Sequence, residues 1–166
     1  MTSKIKWDCL TTSMSNYENP WEFNGNPFTS EDIGKFVGFV YMIESLNDGR
    51  LYIGRKYFHS IRKVKGKARR QRKESDWKTY YGSSKELLTL VEEYGKLNFK
   101  RVILSLHTTR GDCNYEEVKQ QFLHDVLEDD RYLNENINGK WHRKPQHILE
   151  GRVLNEDYRL GKRTEV

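Results

Sequence analysis

The chain of 166 residues has only two cysteines, Cys9 and Cys113, and three prolines. The cysteines form no Cys-x-x-Cys pair and have no closely spaced histidine, which excludes a disulfide framework and a structural zinc site and leaves two free thiols. With prolines only at positions 20, 27 and 145, and no serine-rich stretch, nothing reads as a linker between independent domains. No apolar run approaches the ~20 residues that cross a bilayer. The polar stretch Met1–Asn16 lacks the apolar core of a signal peptide, so the expectation is a cytoplasmic protein.

Acidic residues are missing from one place in particular. Residues 55–73 read RKYFHSIRKVKGKARRQRK, and ten of these nineteen are Lys or Arg. Ten of the 29 basic residues thus lie here, and the rest of the chain carries 19 basic against 24 acidic residues. The net charge of +5 is therefore a local device, of the kind that attracts a polyanion such as DNA through release of phosphate counterions.

What remains reads as one domain, residues 37–137, with an N-terminal arm (1–36) and a C-terminal extension (138–166). The arm is rich in aromatic residues, and Asn24-Gly25-Asn26-Pro27 marks a turn within it. Residues 37–44, VGFVYMIE, and Leu51-Tyr52-Ile53 have strand character and flank Asp48-Gly49, a strong hairpin turn. A two-residue loop there would place Ser45 opposite Tyr52 and leave Tyr41 about 13 Å along the same face. The basic segment reads as part helix, part loop. A capping box at Ser83 and Glu86 opens a second helix with Leu87, Leu88 and Val91 on its apolar face, and Gly95 ends it. Residues 99–106, FKRVILSL, read as a strand at the centre of the sheet. A last helix begins at Asp112 or Asn114 and runs to about Glu128, with Val118, Phe122 and Val126 as its buried stripe. The expectation is an α/β (α+β) domain, a three-stranded antiparallel sheet flanked by helices, in the order β-β-α-α-β-α.

The block GFVYMIESLNDGRLYIG resembles the hairpin of the GIY-YIG nuclease family. Phe39-Val40-Tyr41 stands where that family has Gly-Ile-Tyr, with Gly38 one position early, and Tyr52-Ile53-Gly54 matches the second half. The segments YIGRKYF and SDWKTYYGSS further resemble the Seg-type members of large tailed phages. The resemblance, over roughly residues 37–135, implies a metal-dependent DNA endonuclease of the freestanding homing kind. It implies a catalytic set of Tyr41, Tyr52, Arg62 and a glutamate on the last helix. An ungapped count gives Glu116 for that glutamate, while Glu117 sits better against the apolar stripe.

Glu117 would hold Mg²⁺ (or Mn²⁺), an ion that keeps several waters and needs few protein ligands. Arg62 would pair with phosphate oxygens, which its planar fork fits. Tyr41 would act on the attacking water, with Tyr52 as its partner and with neighbouring Arg55, Lys56 and Arg62 lowering the phenol pKa. His59, three residues before Arg62, is a further acid–base candidate. Arg55, Lys56, Lys63, Lys65, Lys67, Arg69, Arg70, Arg72 and Lys73 would track the DNA backbone, with Asn134 after the last helix; Trp141 among Lys140–Lys144 offers a second contact. Trp77, Tyr80 and Tyr81 read as anchors of the loop behind the basic run, or as rings that stack on bases. Two other readings of the same residues are a structure-selective repair nuclease and a non-catalytic DNA-binding protein on this fold. A monomer with one site would nick; a homodimer would cut both strands.

Overall fold

The computed structural model describes residues 17–62 and 71–153, apart from the side chains of Arg62 and Gln71. Lys63, Lys65, Lys67, Arg69, Arg70 and Cys9 lie outside the described residues.

The hairpin forms as β3 (Gly38–Ser45) and β4 (Leu51–Tyr57), antiparallel. Its loop is longer than the Asp-Gly turn suggests. Gly49 N–H closes on the Ser45 carbonyl at 2.9 Å and Ser45 N–H on the Arg50 carbonyl at 2.8 Å, so the register pairs Glu44 with Leu51 and Ile43, not Ser45, with Tyr52. Tyr41 consequently pairs with Gly54, and the expected 13 Å offset disappears: the Tyr41 and Tyr52 rings lie 6.2 Å apart.

The hairpin sits at one end of a mixed five-stranded sheet. Strands β1 (Glu22–Phe23) and β2 (Asn26–Pro27) form a short hairpin, and β7 (Phe99–His107) lies between β1 and β3, giving the order β2-β1-β7-β3-β4. The β7–β3 pairing is antiparallel and the β1–β7 pairing parallel. The central place expected for the Val-Ile-Leu run is the one observed. The expected three antiparallel strands are present, and the N-terminal segment extends them.

A helix over the basic segment is not what forms at its ends. Residues His59–Arg62 (β5) and Gln71–Glu74 (β6) pair as an antiparallel ribbon. In the ribbon the neighbouring Arg72 and Lys73 point to opposite faces, which separates their like charges.

Helix α1 (Lys85–Tyr94) is capped by Ser84, whose hydroxyl accepts from Leu87 N–H, rather than by Ser83. Its buried residues are Leu87, Leu90 and Val91; Leu88 faces outward because it lies a quarter-turn from that stripe. Helix α2 (Arg110–Leu123) is capped by Thr109 and ends earlier than expected. Its buried side is Cys113, Glu117 and Gln121, whereas Phe122 is 47% exposed and packs edge-on against Trp141. Of the expected stripe, Val118 and Val126 pack in a core and Phe122 does not, because the side of α2 that meets the sheet also carries Glu117 and Gln121. Strands β8 (Asn136–Ile137) and β9 (Trp141–His142) and the short helix α3 (Gln146–Glu150) complete the described chain.

The sheet has a different core on each face. On one, Phe39, Tyr41, Ile43 and Tyr52 pack with Trp21, Phe28, Phe58, Trp77 and the buried side of α1. On the other, Val40 and Ile53 pack with Cys113, Val126, Tyr132 and Ile137. Trp77 and Tyr81 are buried in the first core, in keeping with their expected anchoring role. No helix among the described residues is long and apolar enough to cross a membrane.

Candidate active site

Strand β4 is the last in the sheet, so one of its edges needs partners. The chain after α2 supplies them. Leu51 N–H donates to the Arg131 carbonyl and Leu133 N–H to the Leu51 carbonyl, both at 2.8 Å. One step further the Asn134 side chain takes over. Its Oδ1 accepts from Ile53 N–H at 3.1 Å and its Nδ2 donates to the Ile53 carbonyl at 2.8 Å. Gln121 Nε2 gives that carbonyl a second hydrogen bond at 3.0 Å. Asn134, expected among the DNA contacts, is thus 3% exposed with its amide bonded to main chain. Asn134→Ala would leave Ile53 N–H buried without that acceptor, at a cost of about 1–3 kcal/mol. A lower urea midpoint at unchanged slope would show it; an unshifted midpoint would mean that water replaces the amide.

Gln121 and Glu117 are one helical turn apart on α2, so the clamp on Ile53 also orients Glu117. Beyond Ile53 the strand continues through Gly54 to Arg55, and Arg55 forms an ion pair with Glu117. Glu117 is 9% exposed. Burial pushes its carboxyl pKa up, and the Arg55 guanidinium works against that rise. Glu116 turns away, hydrogen-bonded to Gln120 at 2.6 Å and ion-paired with Lys119 at 3.4 Å. With Thr109 as cap, Glu117 stands in mid-helix, not at a capping position.

Tyrosines meet this carboxylate around the edge of β4. Tyr52 hydrogen-bonds Ser83 through its hydroxyl at 3.2 Å. Tyr41 is 1% exposed and meets the Tyr80 ring edge-on, 6.2 Å between centroids. The Tyr41 hydroxyl lies so close over Gly54 that a β-carbon there would stand 2.5 Å away; the glycine of the second half-motif is the space that hydroxyl occupies. Gly38 is constrained in the same way, since a β-carbon there would come within 2.7 Å of the Lys56 carbonyl and the Tyr57 ring. It therefore serves as the close-approach glycine, while Phe39 is wholly buried.

The positive neighbours do not lower the tyrosine pKa values as expected. Burial raises that of Tyr41 well above the ordinary phenol range and raises that of Tyr52 as well. Desolvation outweighs the cations because Arg55 is neutralised by Glu117 and Lys56 by Asp76, 2.7 Å away.

These groups open on a cleft of ≈ 470 Å³ whose lining includes Tyr52, Arg55, Ser83, Glu117, Gln121 and Asn134. Tyr41 lies behind it. His59 is elsewhere, in a separate hollow with Ser30, Arg72 and Glu74. Its Nδ1 lies 3.0 Å from Arg72 Nη2, and burial, with Arg72 beside it, holds its pKa low. Arg62 belongs to β5 by its backbone; its side chain lies outside the described residues. Lys73 is exposed.

Sequence reasoning missed two contributors. Tyr80 packs edge-on against Tyr41, and its ring carries Lys56 Nζ 3.5 Å from the centroid. Ser83 is free to meet Tyr52 because Ser84 is the cap. The only signal was their place after the basic run, which does not show that the loop folds back over β4.

As a donor set for a metal, the cleft offers one buried carboxylate. Among the described residues no three His, Cys, Asp or Glu side chains gather. One carboxylate in a polar, open cleft fits Mg²⁺, which retains its waters and takes substrate phosphate as a further ligand; it does not fit a fully coordinated zinc.

A small α+β domain with two packed hairpin tyrosines beside a helix-borne glutamate has the form of a GIY-YIG domain. The chain belongs to the SegE-type GIY-YIG family: the family model described as putative endonuclease segE, GIY-YIG domain, matches residues 21–137. Comparison with curated proteins and with solved structures finds no match. Membership supports nuclease activity, in a family generally dependent on a divalent metal.

Proposed function

We propose that the protein is a metal-dependent DNA endonuclease that hydrolyses phosphodiester bonds in the cleft along β4, as a freestanding homing enzyme of phage type. The observation that carries this reading is Glu117, a buried carboxylate facing Arg55 and sharing its cleft with the Tyr52 hydroxyl.

Glu117 would hold Mg²⁺ or Mn²⁺, which when bound stabilises charge on the phosphoryl and leaving oxygens. Arg62 would bind the non-bridging oxygens, as the family resemblance implies, and Arg55 and Lys56 would supply further positive charge at the phosphate. Lys63, Lys65, Lys67, Arg69, Arg70, Arg72 and Lys73 would follow the backbone on either side, positioning DNA without reading its sequence. Tyr52, with its pKa raised, serves as a hydrogen-bonding group that orients the attacking water. Tyr41, buried behind it, supports that geometry by packing against the Tyr52 and Tyr80 rings. Asn134 acts by holding β4 in place, and His59 by contacting DNA beside Arg72 instead of moving protons in the cleft.

The test is conversion of supercoiled plasmid to nicked or linear DNA in Mg²⁺, with EDTA as control and Arg62→Ala alongside. Tyr52→Phe removes one hydroxyl and leaves the ring; cleavage is expected to fall by about 10²-fold, the scale of losing the group that positions the attacking water. Wild-type rates in Tyr52→Phe would move the water to another group. DNA binding without cleavage by the native chain, on plasmid and branched substrates alike, would favour a binding protein on this fold.

A further inference from the structure

The ion pair that marks the cleft also blocks it. Among the described residues, the hydrogen bonds of the Glu117 carboxylate run to Arg55 alone. The two partners are unequally placed: the Glu117 side chain is 12% exposed and that of Arg55 32%. The carboxylate is fixed on a helix pinned to Ile53, while the guanidinium ends a long stem at the wet side of the cleft. A divalent cation on Glu117 would meet the guanidinium at close range, where like charges repel strongly. A buried carboxylate without a counter-charge is costly. One of the two cations must therefore be there, and their mutual repulsion sets them in competition for the carboxylate.

We infer that Arg55 is the resident counter-ion of the metal-binding carboxylate and exchanges with the metal, the freed guanidinium passing to a DNA phosphate in the same cleft. The inference rests on the proposal that Glu117 is the metal ligand. Arg55 then links two binding events. It competes with metal in the absence of DNA, and a phosphate that draws it away opens Glu117. Because such coupling is reciprocal, metal also raises the affinity for DNA. The chain would thus hold its metal poorly until substrate is in place.

Mn²⁺ binding to the full chain, followed by the loss of the free-ion EPR signal, tests this without reading cleavage. Arg55→Gln is expected to bind Mn²⁺ without DNA at least about fivefold more tightly than the native chain, the lower end of ordinary coupling. Arg55→Lys, which keeps the charge but not the fork, should fall between. A short duplex should tighten Mn²⁺ binding more in the native chain than in Arg55→Gln. A merely structural Arg55 would give equal or weaker Mn²⁺ binding in the folded Arg55→Gln variant, and that result overturns the inference. Should Arg55→Gln fail to fold, a native affinity indifferent to duplex together with an unchanged Arg55→Lys overturns it equally. Glu117→Gln separates the two ideas: if it binds Mn²⁺ as the native chain does, the ligand assignment falls too. If it loses binding while Arg55→Gln is unchanged, only the exchange is wrong.

Discussion

Glu117→Gln is expected to reduce Mg²⁺-dependent cleavage about a thousandfold or more while leaving the fold in place. The substitution keeps the shape of the side chain and removes its charge. A metal contributes several kcal/mol of charge stabilisation in phosphoryl chemistry, and ~4 kcal/mol is about a thousandfold in rate. Arg55, the partner left behind, is wet enough to turn to solvent, so a melting curve close to native should accompany the loss. Cleavage at native rates would exclude Glu117 and direct attention to Glu116, which its bonds to Lys119 and Gln120 now hold off the cleft. The same carboxylate sets an acid limit. Burial raises its pKa, and metal binds the charged form. As pH falls, Mn²⁺ affinity should therefore be lost at a pH above the ordinary glutamate range. A midpoint at or below that range would contradict the raised pKa.

Arg101→Ala is expected to destabilise the fold by about 3–5 kcal/mol, the scale of truncating a large core side chain. Arg101 stands on β7, 1% exposed. Its charge is satisfied by main-chain carbonyls: Nε donates to Asn19, Nη1 to Tyr80 and Nη2 to Lys78, each at 3.0 Å. The guanidinium lies 4.7 Å from the Trp21 ring and 4.4 Å from that of Tyr81. Truncation would orphan three carbonyls and open a cavity between two aromatic rings. Because one of those carbonyls belongs to Tyr80, the loop that meets Tyr41 and carries Ser83 should loosen as well. Urea unfolding would measure the loss, and faster amide exchange across residues 78–83 would locate it. A midpoint within a few tenths of a molar of native would show that the charge costs as much to bury as its bonds return.

The hairpin, the central β7 strand and the two main helices are legible in the sequence because each carries its own periodicity and turn chemistry. Boundaries fail where neighbouring residues can do the same job. Ser83 and Ser84 compete to cap α1, and Thr109, Asp112 and Asn114 to open α2. The α2 stripe fails at Phe122 for a deeper reason. Phe122 reads as core and Gln121 as surface, yet Gln121 is turned inward because the Ile53 carbonyl at the edge of β4 accepts its amide. The register of the hairpin escapes too, since Asp48-Gly49 suggests a shorter loop than the one closed by Ser45.

The amino-acid sequence by itself determined the residue types and their order: two tyrosines eleven apart, a basic run free of acid, an arginine after the hairpin, a glutamate on the last helix. Those are properties of a local alphabet, and the family resemblance rests on them. Only the tertiary structure decided which of them meet. Strand β4 needed a partner at its edge, the chain after α2 supplied Asn134, and that clamp brought Glu117 to Arg55 and left His59 in another hollow. Contacts across 62 or 81 residues of sequence are set by the unsatisfied hydrogen bonds and buried charges of the packed molecule, which no periodicity in the chain records.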